Sequence, residues 1–268
     1  MSQPPDPFDL PALEAALAET PFAGKLHFFP AIPSTNTLAM QEAEAGAPEG
    51  MAYFADEQTA GRGRTGHSWE SPPGSGLYLS ILLRPHIAPA DVLWLSLAAG
   101  LAVREAVMQV SSLEADLRWP NDLLLGGKKF SGILTELNAE VTRVRHLVIG
   151  IGINTHQEAF PQELSQQATS LRIETGQHWP RQELLIAVLR AIHGEILALK
   201  APPSLSLATQ SILARLEQSS SWIRGKRVQV EEAGGYTGMT AGLDARGFLL
   251  VQTEGGLRTV LSGGVRAL

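Results

Sequence analysis

Glu57-Gln-Thr-Ala-Gly-Arg-Gly-Arg-Thr-Gly-His-Ser-Trp69 packs three glycines, two arginines and an indole into one short segment that reads as irregular structure. Gly61, Gly63 and Gly66 allow positive φ and a close approach of backbone to a ligand, at an entropic cost that a plain surface turn would not need. Arg62 and Arg64 make that ligand an anion. The spacing satisfies G-x-G-x-x-G formally, but that fingerprint should open a helix, and here Ser71-Pro-Pro-Gly-Ser-Gly76 follows. No Gly-Lys-Ser/Thr triplet occurs, which excludes a Walker-type phosphate loop.

Other candidates flank this loop. Ser34-Thr35-Asn36 precedes a helical stretch and is first of all a helix cap. Three consecutive small polar residues also gather hydroxyls, an amide and free backbone N–H groups around one point, which suits a polar ligand head. Lys128 and Lys129 sit on one arm of a hairpin, so their side chains point to opposite faces and only one can reach a given site, the other being solvated. The seven histidines show no metal-ligand spacing such as H-x-x-x-H, and each reads as a surface or packing residue. There is no Gly-x-Ser-x-Gly elbow of a serine hydrolase.

The elements that must hold these residues follow from periodicity and punctuation. After a Pro-rich start, Leu10, Leu13 and Leu17 recur at helical spacing. His27-Phe28-Phe29 reads as a strand ended by Pro30, and Thr37 to Ala45 as a helix closed by Gly46. Strands at Met51 to Ala55 and Leu77 to Leu83 bracket the glycine-rich loop. Val92 to Val110 is apolar almost all round, a helix buried on the sheet with Trp94, Leu97, Leu101 and Met108 as core. Ala115 to Asp122 alternates as a half-buried strand ended by Pro120, and Gly126-Gly127 turns the hairpin between Leu123 to Leu125 and Lys128 to Leu137. Val144 to Ile153 adds a strand, and Ala168-Thr-Ser-Leu171 leads into a loop. A helix with Leu185, Val188, Leu189, Ile192, Ile196 and Leu199 on one face runs from Pro180 to Pro202-Pro203. Another helix around Ala208 to Glu217 comes before a change in composition at Gly225. Beyond it, strands at Lys226 to Glu231, Tyr236 to Leu243, Phe248 to Thr253 and Leu257 to Leu261 indicate a small antiparallel barrel.

Composition sets the bounds. The 268 residues, 44% hydrophobic, can bury a full core in one large and one small domain. A net charge of -6 disfavours general affinity for nucleic acid. The absence of cysteine removes disulfides, thiolate metal sites and thiol nucleophiles together. With neither a signal-like start nor a membrane-length apolar run, the chain reads as soluble and cytoplasmic.

Ser34-Thr-Asn36, Gln58-Thr-Ala-Gly-Arg-Gly-Arg-Thr-Gly66 with Trp69, Arg118-Trp-Pro-Asn-Asp122, Lys129-Phe-Ser-Gly-Ile-Leu134 and Gly150-Ile-Gly-Ile-Asn154, in this order, resemble the biotin protein ligases. The resemblance covers roughly residues 30 to 268. It implies an α+β fold: a class II synthetase-like catalytic domain with a central mixed or antiparallel sheet flanked by helices over residues 1–222, of which 1–25 are a lead-in, and an SH3-like β-barrel over 223–268. It implies formation of biotinyl-5′-adenylate from biotin and MgATP, then transfer of biotin to a lysine of a biotin carboxyl carrier protein. By this resemblance Ser34, Thr35, Asn36, Gln58, Arg62, Gly63, Arg64, Lys129 and Gly132 surround biotin, with Arg64 and Lys129 as the catalytic cations. Arg62, Arg64, Trp69, Asn121, Asp122 and Asn154 take the adenylate side, and the metal ligands stay unassigned beyond the Mg²⁺ expected with ATP. The family motif selects Lys129 over Lys128.

Two departures stand out. The residues ahead of Ser34 are too few for the winged helix-turn-helix of the repressor members, so operator DNA is not an expected partner. Arg118 stands where many relatives have lysine, which keeps the charge but changes the hydrogen-bond geometry. The rival readings are a lipoate protein ligase, which shares the acyl-adenylate chemistry, and a non-catalytic biotin-binding regulator. A homodimer through an exposed sheet edge is compatible with the sequence.

Overall fold

The computed structural model describes residues 6–200, 204–261 and 264–268. Ahead of the main sheet, Asp9 caps the short helix α1 (Leu10–Ala16). The sheet itself has seven strands in the order β1 (Leu26–Ile32), β2 (Ala52–Gln58), β3 (Gly76–Leu83), β7 (Val144–Asn154), β6 (Lys128–Ala139), β5 (Asp122–Leu125), β4 (Asp116–Arg118). Only β1 and β2 are parallel. A parallel pair needs a crossover, and helix α2 (Thr35–Glu44) supplies it across one face of the sheet. Ile32 pairs with Gln58, so the ends of β1 and β2 and the first turn of α2 meet at one place.

The period of two along each strand divides the sheet's faces. Leu77, Leu79, Ile81 and Leu83 of β3, with Leu147, Ile149, Ile151 and Ile153 of β7, join the main core formed with α3 (Val92–Ser111), α5 (Arg181–Lys200) and α6 (Ser204–Ser219). On the opposite face Leu82 and Val148 pack with Tyr53, Ala39 and Ala43 beneath α2. Strand β3 is therefore buried along its whole length, as its nearly continuous apolar run requires. Beside them on the α2 face, Ser80, Gly150 and Gly152 are polar or bare. They mark the part of the face left for a ligand.

A second, five-stranded antiparallel sheet has the order β11 (Gly256–Val260), β10 (Leu249–Thr253), β9 (Tyr236–Leu243), β8 (Arg224–Val230), β12 (Val265–Ala267). It docks on the large domain where the Trp119 indole donates to the Gly247 carbonyl at 2.9 Å. A Cβ at Gly247 would meet Leu97 and Trp94 of α3.

The α+β class, the buried α3 and the Gly126-Gly127 hairpin agree with the sequence reading; both glycines adopt positive φ, 54° and 79°. Several boundaries differ. Strand β1 runs through Pro30, because β1 is an edge strand and a missing N–H costs nothing on its unpaired side. Strand β2 reaches Gln58, so the first residues of the glycine-rich segment are regular structure. Ala168 to Leu171 leads not into a loop but into a short helix, α4 (Leu171–Thr175), capped by Ser170. Met108 is 41% exposed, because it shares the outward helix face with exposed Glu105 while Val107 and Ser111 of the same turn stay buried. The short strand β12 escaped the sequence pattern. Pro202 and Pro203 lie outside the described residues, as does the Pro-rich start before Asp6.

Candidate active site

The capping reading of Ser34 holds: its hydroxyl accepts from the Thr37 N–H at 3.4 Å, the kind of bond worth about 1 kcal/mol to a helix. The two residues after the cap face inward. The Thr35 backbone N–H and hydroxyl both donate to Gln58 Oε1 at 3.0 Å, and Gln58 Nε2 donates to the Ser71 hydroxyl at 3.0 Å. The Ser80 hydroxyl lies 2.8 Å from Thr35 Oγ1 and 2.6 Å from Asn36 Oδ1. Asn36 Nδ2 donates to Glu136 at 2.9 Å. Each buried polar atom here has its orientation set by another element, the condition for a pocket that discriminates by hydrogen bonds.

Glycines make the floor. A Cβ on Gly150 would overlap the Asn36 amide, one on Gly152 would lie 2.5 Å from the Trp69 indole, and one on Gly132 would lie 2.9 Å from the Lys129 side chain and 3.2 Å from Trp69. Pairing of Gly132 with Gly152 on adjacent strands opens a slot that only these residues permit.

The arginine-rich segment folds over this floor. Trp69 N–H bonds the Gly61 carbonyl at 2.9 Å and Gly63 N–H the His67 carbonyl at 2.7 Å, while Arg64–Gly66 forms a single 3-10 turn. Gly66 takes positive φ, 81°. Trp69 anchors the segment to the sheet, its ring lying against Gly132 and Gly152. Its indole N–H is buried without a hydrogen-bond partner, a cost of roughly 1–3 kcal/mol that a moved ring or a bound ligand would relieve. The second latch is ionic: exposed Arg62 pairs with Glu136 at 2.8 Å.

At the far end lies a cluster of charge. Lys129 Nζ is 2.6 Å from Asp122 Oδ1, and Arg118 donates to Asp122 Oδ2 through Nη2 at 2.6 Å and Nε at 3.2 Å. Arg64 donates to Asn121 Oδ1 at 2.8 Å, and Asn121 Nδ2 to the Ile133 carbonyl at 2.7 Å. Burial pulls the Arg64 guanidinium below its ordinary pKa and the charge on Asp122 opposes that, yet guanidinium remains a cation throughout the working range. Burial opposes ionisation of Asp122, but Lys129 and Arg118 outweigh it and hold the carboxyl below its usual range. The unfolded chain, with an ordinary aspartate near 3.9, therefore binds more protons as the pH falls through that value, and stability drops. Urea unfolding at pH 5 and pH 3 should show a stability loss that is smaller in Asp122→Asn; an equal loss in both proteins would refute the assignment.

The fold thus brings Ser34, Thr35, Asn36, Gln58, Arg62, Gly63, Arg64, Trp69, Asn121, Lys129 and Gly132 onto one pocket. Asn154 lies across the Trp69 ring in a second cavity of about 160 Å³ that Lys129, Arg118 and Phe160 also line. Asn154 is fixed by the Thr169 carbonyl at 3.0 Å and Gln157 at 3.1 Å. Asp122 stands behind Lys129 as its counter-ion. Lys128 is half-buried rather than solvated, donating to the Ser165 carbonyl at 3.3 Å. Ser80 and Glu136 are contributors that the sequence reading missed.

Comparison with known proteins gives the same class. The chain matches the biotin/lipoate A/B protein ligase family over residues 28–154 and the biotin protein ligase C terminal domain over 224–265. It is 35% identical over 240 residues to the biotin--[acetyl-CoA-carboxylase] ligase of Mycobacterium tuberculosis, covering 86% of this chain and 84% of that one. It is also 35% identical over 235 residues to the bifunctional ligase/repressor BirA of Bacillus subtilis, covering 87% and 70%. The solved structure of biotin protein ligase from Aquifex aeolicus in complex with biotin and ATP is similar with a TM-score of 0.78 and 34% identity, covering 91% of this chain and 99% of that one. The chain belongs to the biotin protein ligase family.

Proposed function

We propose that the chain activates biotin with ATP as biotinyl-5′-adenylate and transfers it to a lysine of a biotin carboxyl carrier protein. One observation carries this reading. A pocket in which Ser34, Thr35, Asn36 and Gln58 share the lining with Arg62, Arg64 and Lys129 adjoins a second cavity at the Trp69 indole, and Lys129 lines both. Ser34, Thr35, Asn36 and Gln58 suit a ureido ring, in which every N–H and C=O needs a partner. Lys129 and Arg64 sit where a carboxylate and a phosphate must be brought together against their mutual repulsion.

In the first step a biotin carboxylate oxygen bonds to the α-phosphorus of ATP, the bond to the bridging oxygen breaks, and pyrophosphate leaves with that electron pair. Lys129 and Arg64 stabilise the charge on the transferring group. In the second, an unprotonated carrier amine attacks the acyl carbon, AMP departs, and the amine's proton is lost to solvent. We assign adenine to the cavity of Trp69 and Asn154, with Arg62 and Gly63 closing over the adenylate. Residues 1–222 serve as the catalytic domain and 223–268 as an accessory one. Magnesium is a partner of the nucleotide: Asp122 is already held by two cations, so the cluster offers no spare carboxylate set, and no step is assigned to the ion. Among the described residues no helix is long and apolar enough to cross a membrane. We place the enzyme in the cytoplasm, where its carrier and ATP are found.

Incubation with labelled biotin, MgATP and a carrier domain should label one carrier lysine and release pyrophosphate. Labelling from lipoate in place of biotin, or biotin binding without pyrophosphate release, would overturn the reading.

The pocket holds only about 50 Å³ of internal room, against the roughly 300 Å³ or more typical of a small-molecule site. Substrate entry must therefore move Trp69 and its segment. Residues 61–69 should be cut readily by protease in the ligand-free enzyme and protected by biotin with ATP. Equal cleavage in both states would remove the flap.

A further inference from the structure

The join between the large and small domains reaches the charged cluster through one side chain. Trp222 lies after α6 and just before β8, is buried, and has the Arg118 guanidinium carbon 5.3 Å from its ring centroid. The residues ahead of Trp222 grip the strand that carries Arg118. The Ser220 hydroxyl donates to the Leu117 carbonyl, and Ser221 donates to Asp116 through its backbone N–H at 2.9 Å and its hydroxyl at 2.6 Å. Strand β4 is three residues long and pairs only with β5, so it has no second strand to hold it and these bonds stand in for one.

Arg118 directs its hydrogen bonds to a single atom. Nε at 3.2 Å and Nη2 at 2.6 Å both donate to Asp122 Oδ2, which leaves Oδ1 for Lys129 Nζ at 2.6 Å. A chain of direct contacts therefore runs from Trp222 through Arg118 and Asp122 to Lys129. It bears on catalysis because Lys129 must turn from Asp122 to the reacting groups. The more of the carboxylate's charge Arg118 takes, the more readily Asp122 releases the lysine.

Two donors on one oxygen require a fixed guanidinium plane. A long side chain on a short edge strand has several rotamers that would lose it. The indole face selects among them, since a planar guanidinium packs on an aromatic ring in a way that a compact ammonium does not. We propose that Trp222 is a positioning residue for adenylate formation: by holding the Arg118 plane it keeps Asp122 shared between two cations and Lys129 free to turn to substrate. This rests on the activity proposed above, and it gives the join of the two domains a part in the first step.

The test measures pyrophosphate release in single turnover, and biotin binding by calorimetry, on full-length enzyme. Trp222→Leu keeps an apolar side chain without the ring face and should slow adenylate formation by roughly 10–100-fold, as misplacement remote from the chemistry does, with biotin affinity unchanged. In an Arg118→Lys background the same substitution should cost much less, because lysine has no plane to hold, whereas a general loosening of the fold would cost the same in both. If Trp222→Leu does not fold, Ser221→Ala takes its place: it removes one tie to Asp116, leaves the core intact, and should slow the same step selectively. Equal costs in the two backgrounds, biotin affinity lost in step with the rate, or a folded Trp222→Leu (in its absence, Ser221→Ala) at the wild-type rate would overturn the assignment. A wild-type enzyme that releases no pyrophosphate would overturn the activity and this role together.

Discussion

Lys129→Ala should lose biotinyl-adenylate synthesis by about 10²–10³ or more while the protein stays folded, because the change removes a charge from the reacting groups and little from the core. Lys129 Nζ reaches 2.6 Å from Asp122, whose other oxygen is held by Arg118 at 2.6 Å. The truncated protein therefore keeps a paired carboxylate in place of a stranded one, and the usual penalty for breaking a buried ion pair is avoided. The backbone also stays in place, since Lys129 N–H bonds the Gln167 carbonyl at 2.7 Å and its carbonyl accepts from Thr169 at 2.9 Å. Pyrophosphate release in single turnover, followed beside a thermal melt, reads both halves of this expectation. Undiminished adenylate formation by a folded Lys129→Ala would remove the lysine from the reaction. A melt lowered as far as the activity would recast it as structural.

Period-two geometry lets only one of Lys128 and Lys129 face the site, because neighbours on a strand must face opposite ways. The resemblance then chose Lys129, and in the structure Lys129 pairs with Asp122 on the pocket side while Lys128 turns to the Ser165 carbonyl. The capping role of Ser34 and the glycine hairpin were legible because their causes are local. Ser80 and Glu136 were not. Ser80 is the lone hydroxyl in an apolar strand and Glu136 one polar residue among several, and neither pattern names the partner, Asn36, far along the chain. The glycine-rich segment was legible as a loop over a ligand, but its anchor was hidden: Trp69 is held by the bare backbone of Gly132 and Gly152, which lie on other strands.

Gly150 supplies the second large effect. It lies in the middle of β7, paired with Ser80 on one side and Leu134 on the other, and its φ is not positive, so alanine brings no backbone strain. The added methyl would instead overlap the Asn36 amide. That amide cannot simply turn away, because Ser80 at 2.6 Å and Glu136 at 2.9 Å hold both of its ends. Displacing Asn36 would unpair two buried groups and rebuild the wall on which a ureido ring depends, so Gly150→Ala should raise the KM for biotin by roughly 10²-fold or more. The KM for ATP should move much less, since the nucleotide cavity beyond Trp69 does not include this wall. Gly194→Ala on α5 is the matching control, because nothing lies within 4 Å of its added carbon and alanine favours a helix. Steady-state kinetics of the two variants separate a steric role from a general intolerance of glycine replacement. An unchanged biotin KM in Gly150→Ala would mean that biotin does not lie against this strand and would move the vitamin's place away from Asn36.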